Sequence, residues 1–492
     1  MPTREIPEDL QLDDAPRGNA PRPRLWREHV FRSQLSAPEL EQYYRQLDAE
    51  FPPETPVESV GCVPGYEEME EVLWQPDFYP GQFFIFTNLM KGAYYALDAV
   101  GKILGNKKRR PAHRPLRVLR MTSLIAQGGV AKVCLQSTLP TPPERVEYHL
   151  FAFGKKTLPP PELTARPHLR VLIRKILLWP SSYRLLVFRS VFRLARLLWK
   201  IRPDLIHLHE PQFAPTVRMA AVLAGGIPVC VQLHNDYTIR RRSIHPWALP
   251  MTLHALRRSH LIACSRTIQR AAEIWLGTTQ YPITLIMDGN DDIIETPITD
   301  DLPERLERAA GGRLVVSMMA NLLPHKRVDD FLCGCRILLD EGFPIYVLLM
   351  AYGKEGVGRR TRRRFNRLFE PHEGEFLPNV PQAPRMLGKV AIGVSTSAVE
   401  GLGLNILEYQ AAGVPVVCSN MMPHREMVTD GETGLLFEGL YVPDFVRKMR
   451  LLLNDEALRR RLGEAGRLSA QGRRWANTAA ATCDFYASIF RP

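Results

Sequence analysis

The alternation of apolar and polar positions changes character near residue 116. From there, short apolar runs with a strand-like texture, LRVLRM at 116–121, DLIHLH at 204–209, IPVCVQLH at 227–234, HLIACS at 260–265 and ITLIM at 283–287, are separated by stretches such as GGVAKVCLQSTL at 128–139 with helical spacing. Strands alternating with helices predict a parallel sheet covered on both faces, because parallel neighbours need long crossover connections. After the proline- and aspartate-rich stretch ETPITDDLPERL at 295–306, a second series begins: RLVVSMMA at 313–320, IYVLLMAYG at 345–353, VAIGVSTS at 390–397 and VPVVCSN at 414–420. The economical reading is an α/β protein with two Rossmann-like domains, 113–297 and 298–475, the first completed by a C-terminal helix at 476–492. Ligands of open parallel sheets bind beyond the carboxyl ends of the strands, so two such sheets facing each other are expected to enclose a ligand in a cleft.

Residues 1–112 have a different texture. They are rich in proline, carry short helical patterns at 37–51 and 65–74, and end in the basic run Lys107, Lys108, Arg109 and Arg110. They predict a mainly helical N-terminal extension with a basic linker, a place for complex partners to attach. The segment 81–104 could anchor at a surface or cover a sheet edge, and Lys91, Asp98 and Lys102 keep it from being a membrane span.

Composition narrows the class. At about 150 residues per domain, 492 residues make roughly three domain-sized units, and 45% apolar with 24% charged positions is ordinary for a globular chain. The longest stretch without Asp, Glu, Lys or Arg, Met219 to Asn235, falls short of the roughly 18 apolar residues a span needs. The acidic, polar N-terminus lacks an export signal, so a cytoplasmic location is expected. The eight cysteines are scattered through apolar runs and read as reduced core residues; Cys333 and Cys335, two apart on a predicted helix, point to different sides.

The net charge of +12 makes acidic partners expected, and its location sharpens the choice. Residues 168–203 hold nine Lys or Arg and no Asp or Glu. Helical spacing lines up Arg189, Arg193, Arg196 and Lys200, with Phe192 and Trp199 assigned to other faces, an amphipathic pattern suited to the inner, anionic face of a membrane. An ordinary helix with solvated arginines is the alternative. A second cluster, Arg359, Arg360, Arg362, Arg363 and Arg364, comes without the fold signatures of nucleic-acid binding, and no nucleic acid is expected.

The most specific chemical feature is Glu400-Gly401-Leu402-Gly403-Leu404-Asn405-Ile406-Leu407-Glu408. A strand ends near Ser397, the glycines let backbone approach a ligand, and a helix is predicted from about Leu404. The N-terminus of such a helix offers amide donors and partial positive charge to a phosphate or diphosphate. Glu400 then lies beside the bound group and Glu408 about one turn into the helix, where a carboxylate can accept two hydrogen bonds from vicinal hydroxyls. By themselves these residues read more readily as an early-helix acid and turn-shaping glycines. His207 and His209 alternate along DLIHLH, but no third ligand is evident and no metal site is expected. Asp291 and Asp292 read as a turn.

The run VEGLGLNILEYQAAGVPVV, with DGETGLLF at 430–437, IRPDLIHLH upstream, QYPITLIMDGND and the C-terminal RRRLGEAGR followed by Trp475 and Phe485-Tyr486, resembles retaining glycosyltransferases of the GT-B fold, family GT4. The motifs occur in the family's order over roughly residues 116–490. The resemblance implies that Glu400 contacts the transferred sugar, that Glu408 holds the ribose of the donor nucleotide and that Lys326 neutralises its diphosphate. Gly401, Leu402, Gly403 and Leu404 then lie along the donor, as do backbone amides at Gly128 and Gly129. His234 matches a histidine near the transferred sugar. Many members carry an arginine five residues before the lysine; this chain has Asn321, with Arg327 adjacent as a substitute cation. The donor implied is a UDP- or GDP-sugar, with no cofactor or metal besides, and the acceptor a lipid-linked or other glycan. The rival expectations are a non-catalytic GT-B scaffold, favoured by Asn321 and by Ala351-Tyr352-Gly353 in place of a Gly-Asp-Gly-like turn, and a soluble transferase acting on a small molecule or protein.

Overall fold

The computed structural model describes residues 115–122, 129–152, 169–173, 184–235, 249–277, 281–290, 301–353, 355–380 and 383–490, with a few positions between 92 and 99. The chain divides into two compact units: a first unit drawn from Gln75–Gly289 together with Arg473–Pro492, and a second containing Asn290–Gly472. The expectations for residues 1–112, Gly128 and the Asp291-Asp292 pair lie outside the described residues, those few positions excepted.

In the first unit the order is β1 (Leu116–Thr122), α1 (Gly129–Gln136), β2 (Val146–Ala152), β3 (Leu169–Ile173), α2 (Arg184–Ile201), β4 (Leu205–Leu208), α3 (Ala214–Leu223), β5 (Val229–Leu233), α4 (Leu249–Arg257), β6 (His260–Ala263), α5 (Arg266–Leu276) and β7 (Ile283–Leu285). The seven strands form one parallel sheet ordered β3-β2-β1-β4-β5-β6-β7. The runs that read as continuously apolar are buried along their length in β4 and β5, as strands covered on both faces must be. Helix ends follow local chemistry. Ser265 Oγ accepts from Ile268 N at 3.1 Å at the start of α5, and Gly277, with φ +70°, takes the left-handed turn that ends it.

The second unit contains α6 (Leu302–Ala310), β8 (Leu314–Asn321), α7 (Val328–Asp340), β9 (Ile345–Tyr352), α8 (Glu355–Leu368), β10 (Gly374–Pro378), β11 (Ile392–Ser395), α9 (Leu404–Ala411), β12 (Val416–Ser419), α10 (Met422–Arg425), β13 (Leu435–Phe437), α11 (Val442–Asn454) and α12 (Glu456–Ala470). Its parallel sheet is ordered β10-β9-β8-β11-β12-β13. The core beneath it includes Val316, Phe331, Leu338, Val347, Leu349, Ile392, Val394 and Phe445. Each such side chain contributes about 1.5–3 kcal/mol relative to exposure.

The last helix, α13 (Trp475–Ile489), returns to the first unit. Tyr486 and Cys483 enter that unit's core, and Thr478 Oγ1 donates to Met287 O at 2.9 Å. Gly289 is required for this return, because a Cβ there would lie 2.5 Å from Trp475 N. The seven described cysteines are all buried and unbridged. Among the described residues no helix is long and apolar enough to cross a membrane.

The strand order reverses direction between β1 and β4 in one unit and between β8 and β11 in the other. In doubly wound sheets the crevice outside the carboxyl ends at that reversal is where ligands bind. The two α/β units expected from the sequence are therefore present, each with a defined place to look for a site.

Candidate active site

Two loops leave the carboxyl edge of the second unit's sheet at its reversal point. One follows β8 and carries Lys326 at the end of a 3-10 turn, Pro324–Lys326; the other follows β11 and carries Glu400. The loops are tied to each other through backbone. Ala398 N donates to His325 O at 2.7 Å, and Thr396 Oγ1 donates to Lys326 O at 3.1 Å and Arg327 O at 2.8 Å.

These bonds set the central pair. Lys326 Nζ donates to Glu400 Oε1, and Ser397 Oγ donates to the same oxygen at 2.8 Å. The side chains are 15% and 11% exposed, so the pair is shielded yet reachable. Burial pushes the Glu400 carboxyl up, but the Lys326 ammonium, the nearby His424 and the two hydrogen bonds together outweigh it and hold the carboxyl below its ordinary range. At neutral pH the site thus presents a carboxylate already matched to a cation.

Helix α9 begins at Leu404, where the sequence placed it. Gly403 supplies its N-cap with φ +96°, a conformation that suits glycine. Ile406 N and Leu407 N donate to Gly403 O at 3.0 and 3.3 Å, and the amides of Leu404 and Asn405 come before any carbonyl of their own helix that they could bond. Gly401, Leu402 and Gly403 are buried, and Leu404 and Asn405 at the start of the helix are half-buried. Asn405 Nδ2 donates to Met319 O at 3.2 Å, fixing the helix start to β8. Glu408 is half-buried within α9. Asn321 is half-buried at the end of β8, its carbonyl accepting from Leu323 N at 2.8 Å.

Two of the expected residues are held by partners of their own. Arg327 is not poised as a spare cation: its guanidinium forks onto Asp330, Nε to Oδ2 at 2.9 Å and NH2 to Oδ1 at 2.7 Å, across the first turn of α7. His234, which follows β5 in the first unit, turns both ring nitrogens toward buried groups rather than outward. Its Nε2 bonds His209 Nδ1 at 3.0 Å, and its Nδ1 lies 4.0 Å from Asp288 Oδ2. Burial pulls the His234 imidazole down to about 3 and pushes the Asp288 carboxyl up to about 8. At neutral pH that approach joins uncharged groups.

A residue that sequence reasoning missed is His424 on α10. It is fully buried, and its Nδ1 donates to Ser419 O at 2.7 Å, a carbonyl that can only accept. Burial lowers its pKa to about 4, so Nε2 carries a lone pair at neutral pH. That nitrogen lies 3.6 Å from where a Cβ on Gly403 would sit, placing an acceptor beside the glycine loop. The signal available was position: a polar residue just past the carboxyl end of a strand beside the reversal point.

The basic helix also differs from expectation. Leu194, Leu197, Leu198 and Ile201 take the buried stripe of α2, which leaves Phe192 and Trp199 63% and 59% exposed and on the same outer surface as Arg193, Arg196 and Lys200. The aromatic residues are interleaved with the cations instead of lying on other faces. Arg189 lies on the same helix, and Gly129 is exposed at the start of α1. On α8, Arg364 pairs with Asp329 at 2.7 Å and Arg362 lies 5.3 Å over the Phe376 ring.

Comparison with known proteins agrees with the fold. Residues 304–469 match glycosyl transferases group 1, and residues 127–291 match glycosyltransferase family 4. The chain is 31% identical over 189 residues to the D-inositol 3-phosphate glycosyltransferase of Nocardia farcinica, covering 36% of this chain and 41% of that protein. It is 36% identical over 108 residues to the protein of that name from Arthrobacter sp., covering 22% and 26%. The chain thus spans well under half the length of these curated relatives. Among solved structures, Anabaena HepE in complex with UDP and glucose superposes with a TM-score of 0.64 at 17% identity, covering 76% of this chain and 100% of that one. Sucrose-phosphate synthase from Thermosynechococcus elongatus gives 0.63 at 17% identity, covering 76% and 99%. With two parallel sheets of matching order and matches on both halves, the chain belongs to the family 4 glycosyltransferases of the GT-B fold.

Proposed function

We propose that the protein transfers a sugar from a nucleotide diphosphate donor to a membrane-associated acceptor, a lipid-linked glycan or polysaccharide precursor, with retention of configuration. The observation that carries this reading is the Lys326–Glu400 pair at the reversal point between β8 and β11. Bond cleavage leaves negative charge on the departing diphosphate. Lys326 stabilises that charge more in the transition state than in the ground state, a role that otherwise falls to a divalent cation. Glu400 accepts from hydroxyls of the transferred sugar, Glu408 holds the ribose, and the amides of the Gly401–Leu404 loop take the phosphate oxygens. Attack comes from the face the diphosphate leaves, through an oxocarbenium-like state, with a departing phosphate oxygen accepting the acceptor proton.

Thermal unfolding in the presence of nucleotides tests the donor half. A nucleotide at 100 times its dissociation constant stabilises the fold by about 2.7 kcal/mol. We expect stabilisation by UDP or GDP and their sugars, lost in Glu408→Ala. No shift with any nucleotide at millimolar concentration contradicts the reading and favours the scaffold alternative, with Asn321 as the departure to examine first.

The acceptor half is supported by the outer surface of α2, where Phe192 and Trp199 can enter the headgroup boundary while Arg193, Arg196 and Lys200 meet anionic lipid. Each cation contributes about 1 kcal/mol near such a surface. Replacing all three with Gln is expected to weaken co-sedimentation with anionic vesicles roughly 100-fold. Binding that ignores lipid charge and salt contradicts it and leaves a soluble acceptor.

A further inference from the structure

Four neighbouring strands of the first unit each end in a side chain able to ligate or support a metal. His209 follows β4, His234 follows β5, Cys264 follows β6, and Asp288 comes three residues after β7. We propose that His234, Cys264 and Asp288 bind a zinc ion at the carboxyl edge of this sheet.

The geometry carries the assignment. One ligand atom from each of the three residues lies within 4.8 Å of the other two, and all three residues are buried. Zinc bonds of about 2.0–2.3 Å set tetrahedral ligand atoms roughly 3.3–3.8 Å apart, so closing on the ion needs only a small contraction. Each ring or carboxyl atom not facing the centre already has a partner. His234 Nε2 bonds His209 Nδ1 at 3.0 Å, leaving Nδ1 inward. Asp288 Oδ1 accepts from Gln232 Nε2 at 3.3 Å, leaving Oδ2 inward, 4.0 Å from His234 Nδ1. Supporting bonds of this kind orient metal ligands and raise their basicity.

The backbone around the three residues is held as well. Cys264 N donates to Leu233 O at 3.3 Å, Ile286 N to Ala263 O at 3.0 Å, and Thr478 Oγ1 to Met287 O at 2.9 Å. The donor set of imidazole, thiolate and carboxylate suits zinc rather than magnesium or calcium, which prefer oxygen throughout. Three protein ligands leave a fourth position for water or a bound group. The ion would cross-link three strand ends of the first unit, and its test reads metal binding rather than sugar transfer, so this inference stands or falls separately from the proposed function.

Cobalt titration of the full chain after chelator treatment tests it. We expect one equivalent to bind with tetrahedral visible absorption and a near-ultraviolet thiolate-to-cobalt band, both displaced by zinc. The thiolate band should vanish in Cys264→Ser and persist in Cys418→Ser. Gln232→Ala, which touches no ion directly, should weaken zinc affinity about 10–100-fold. The Gln232 variant and the wild-type titration stand even if Cys264→Ser does not fold. Absence of the band in the wild type, its persistence in Cys264→Ser, or unchanged affinity in Gln232→Ala overturns the site.

Discussion

Lys326→Ala is expected to lower kcat for sugar transfer by about 10²–10³-fold while changing KM for the donor far less. The size follows from removing one preorganised charge from a leaving group whose own charge grows during the reaction. The split follows because a contact that strengthens in the transition state appears in kcat. The variant also leaves Glu400, 11% exposed, without its cation. Burial then acts with less opposition and raises the carboxyl pKa above its present, depressed position. The sign is definite. In the wild type the charged pair persists as pH falls to below the ordinary carboxylate range, whereas in Lys326→Ala the Glu400 carboxylate takes up its proton at higher pH. Initial rates against donor concentration at several pH values check both parts. A variant with unchanged kcat and a raised KM would assign Lys326 to ground-state binding alone.

Arg120→Ala should destabilise the first unit by about 3 kcal/mol or more. Arg120 sits on β1 at 1% exposure, and its guanidinium donates to Tyr486 Oη at 3.3 and 3.2 Å, Cys134 O at 2.9 Å, Ser137 Oγ at 2.7 Å and Thr138 Oγ1 at 2.7 Å. It also lies 4.6 Å over the Tyr148 ring. One side chain therefore joins β1, α1 and the returning helix α13. Truncation loses charge-assisted hydrogen bonds and leaves buried acceptors unmatched at about 1–3 kcal/mol each, beyond the cavity itself. Urea unfolding measures the loss, and amide exchange in α13 should quicken with it. Arg145→Ala is the control, since the Arg145–Asp484 pair is 40% and 71% exposed and such pairs contribute at most about 1 kcal/mol. Equal effects from the two substitutions would show that Arg120 is not the link between helix and sheet.

The α/β organisation was legible because parallel strands are buried on both faces and leave uninterrupted apolar runs, as in IYVLLMAY of β9. The start of α9 was legible too, since the glycine pair and the change of periodicity mark it locally. Pairing of Lys326 with Glu400 was not, because 74 positions separate them and only the topology brings β8 and β11 together. The same holds for His234, whose partners His209 and Asp288 follow β4 and β7, strands that no local pattern connects to β5. Arg327 is a different case. Its fork onto Asp330 is an i,i+3 contact that local spacing alone encodes. For α2 the error was rotational. Leu194, Leu197, Leu198 and Ile201 already form a stripe of i, i+3, i+4 and i+7 spacing, which turns Phe192 and Trp199 outward.

The central claim is that the reversal point of the second unit's sheet grips the diphosphate of a nucleotide donor. Calorimetric titration of wild type and Lys326→Ala with a nucleoside diphosphate and with the bare nucleoside tests it most directly. The account predicts one diphosphate site per chain, at least tenfold weakened in Lys326→Ala, with the bare nucleoside bound equally by both proteins. Equal diphosphate affinity in the two proteins would contradict it.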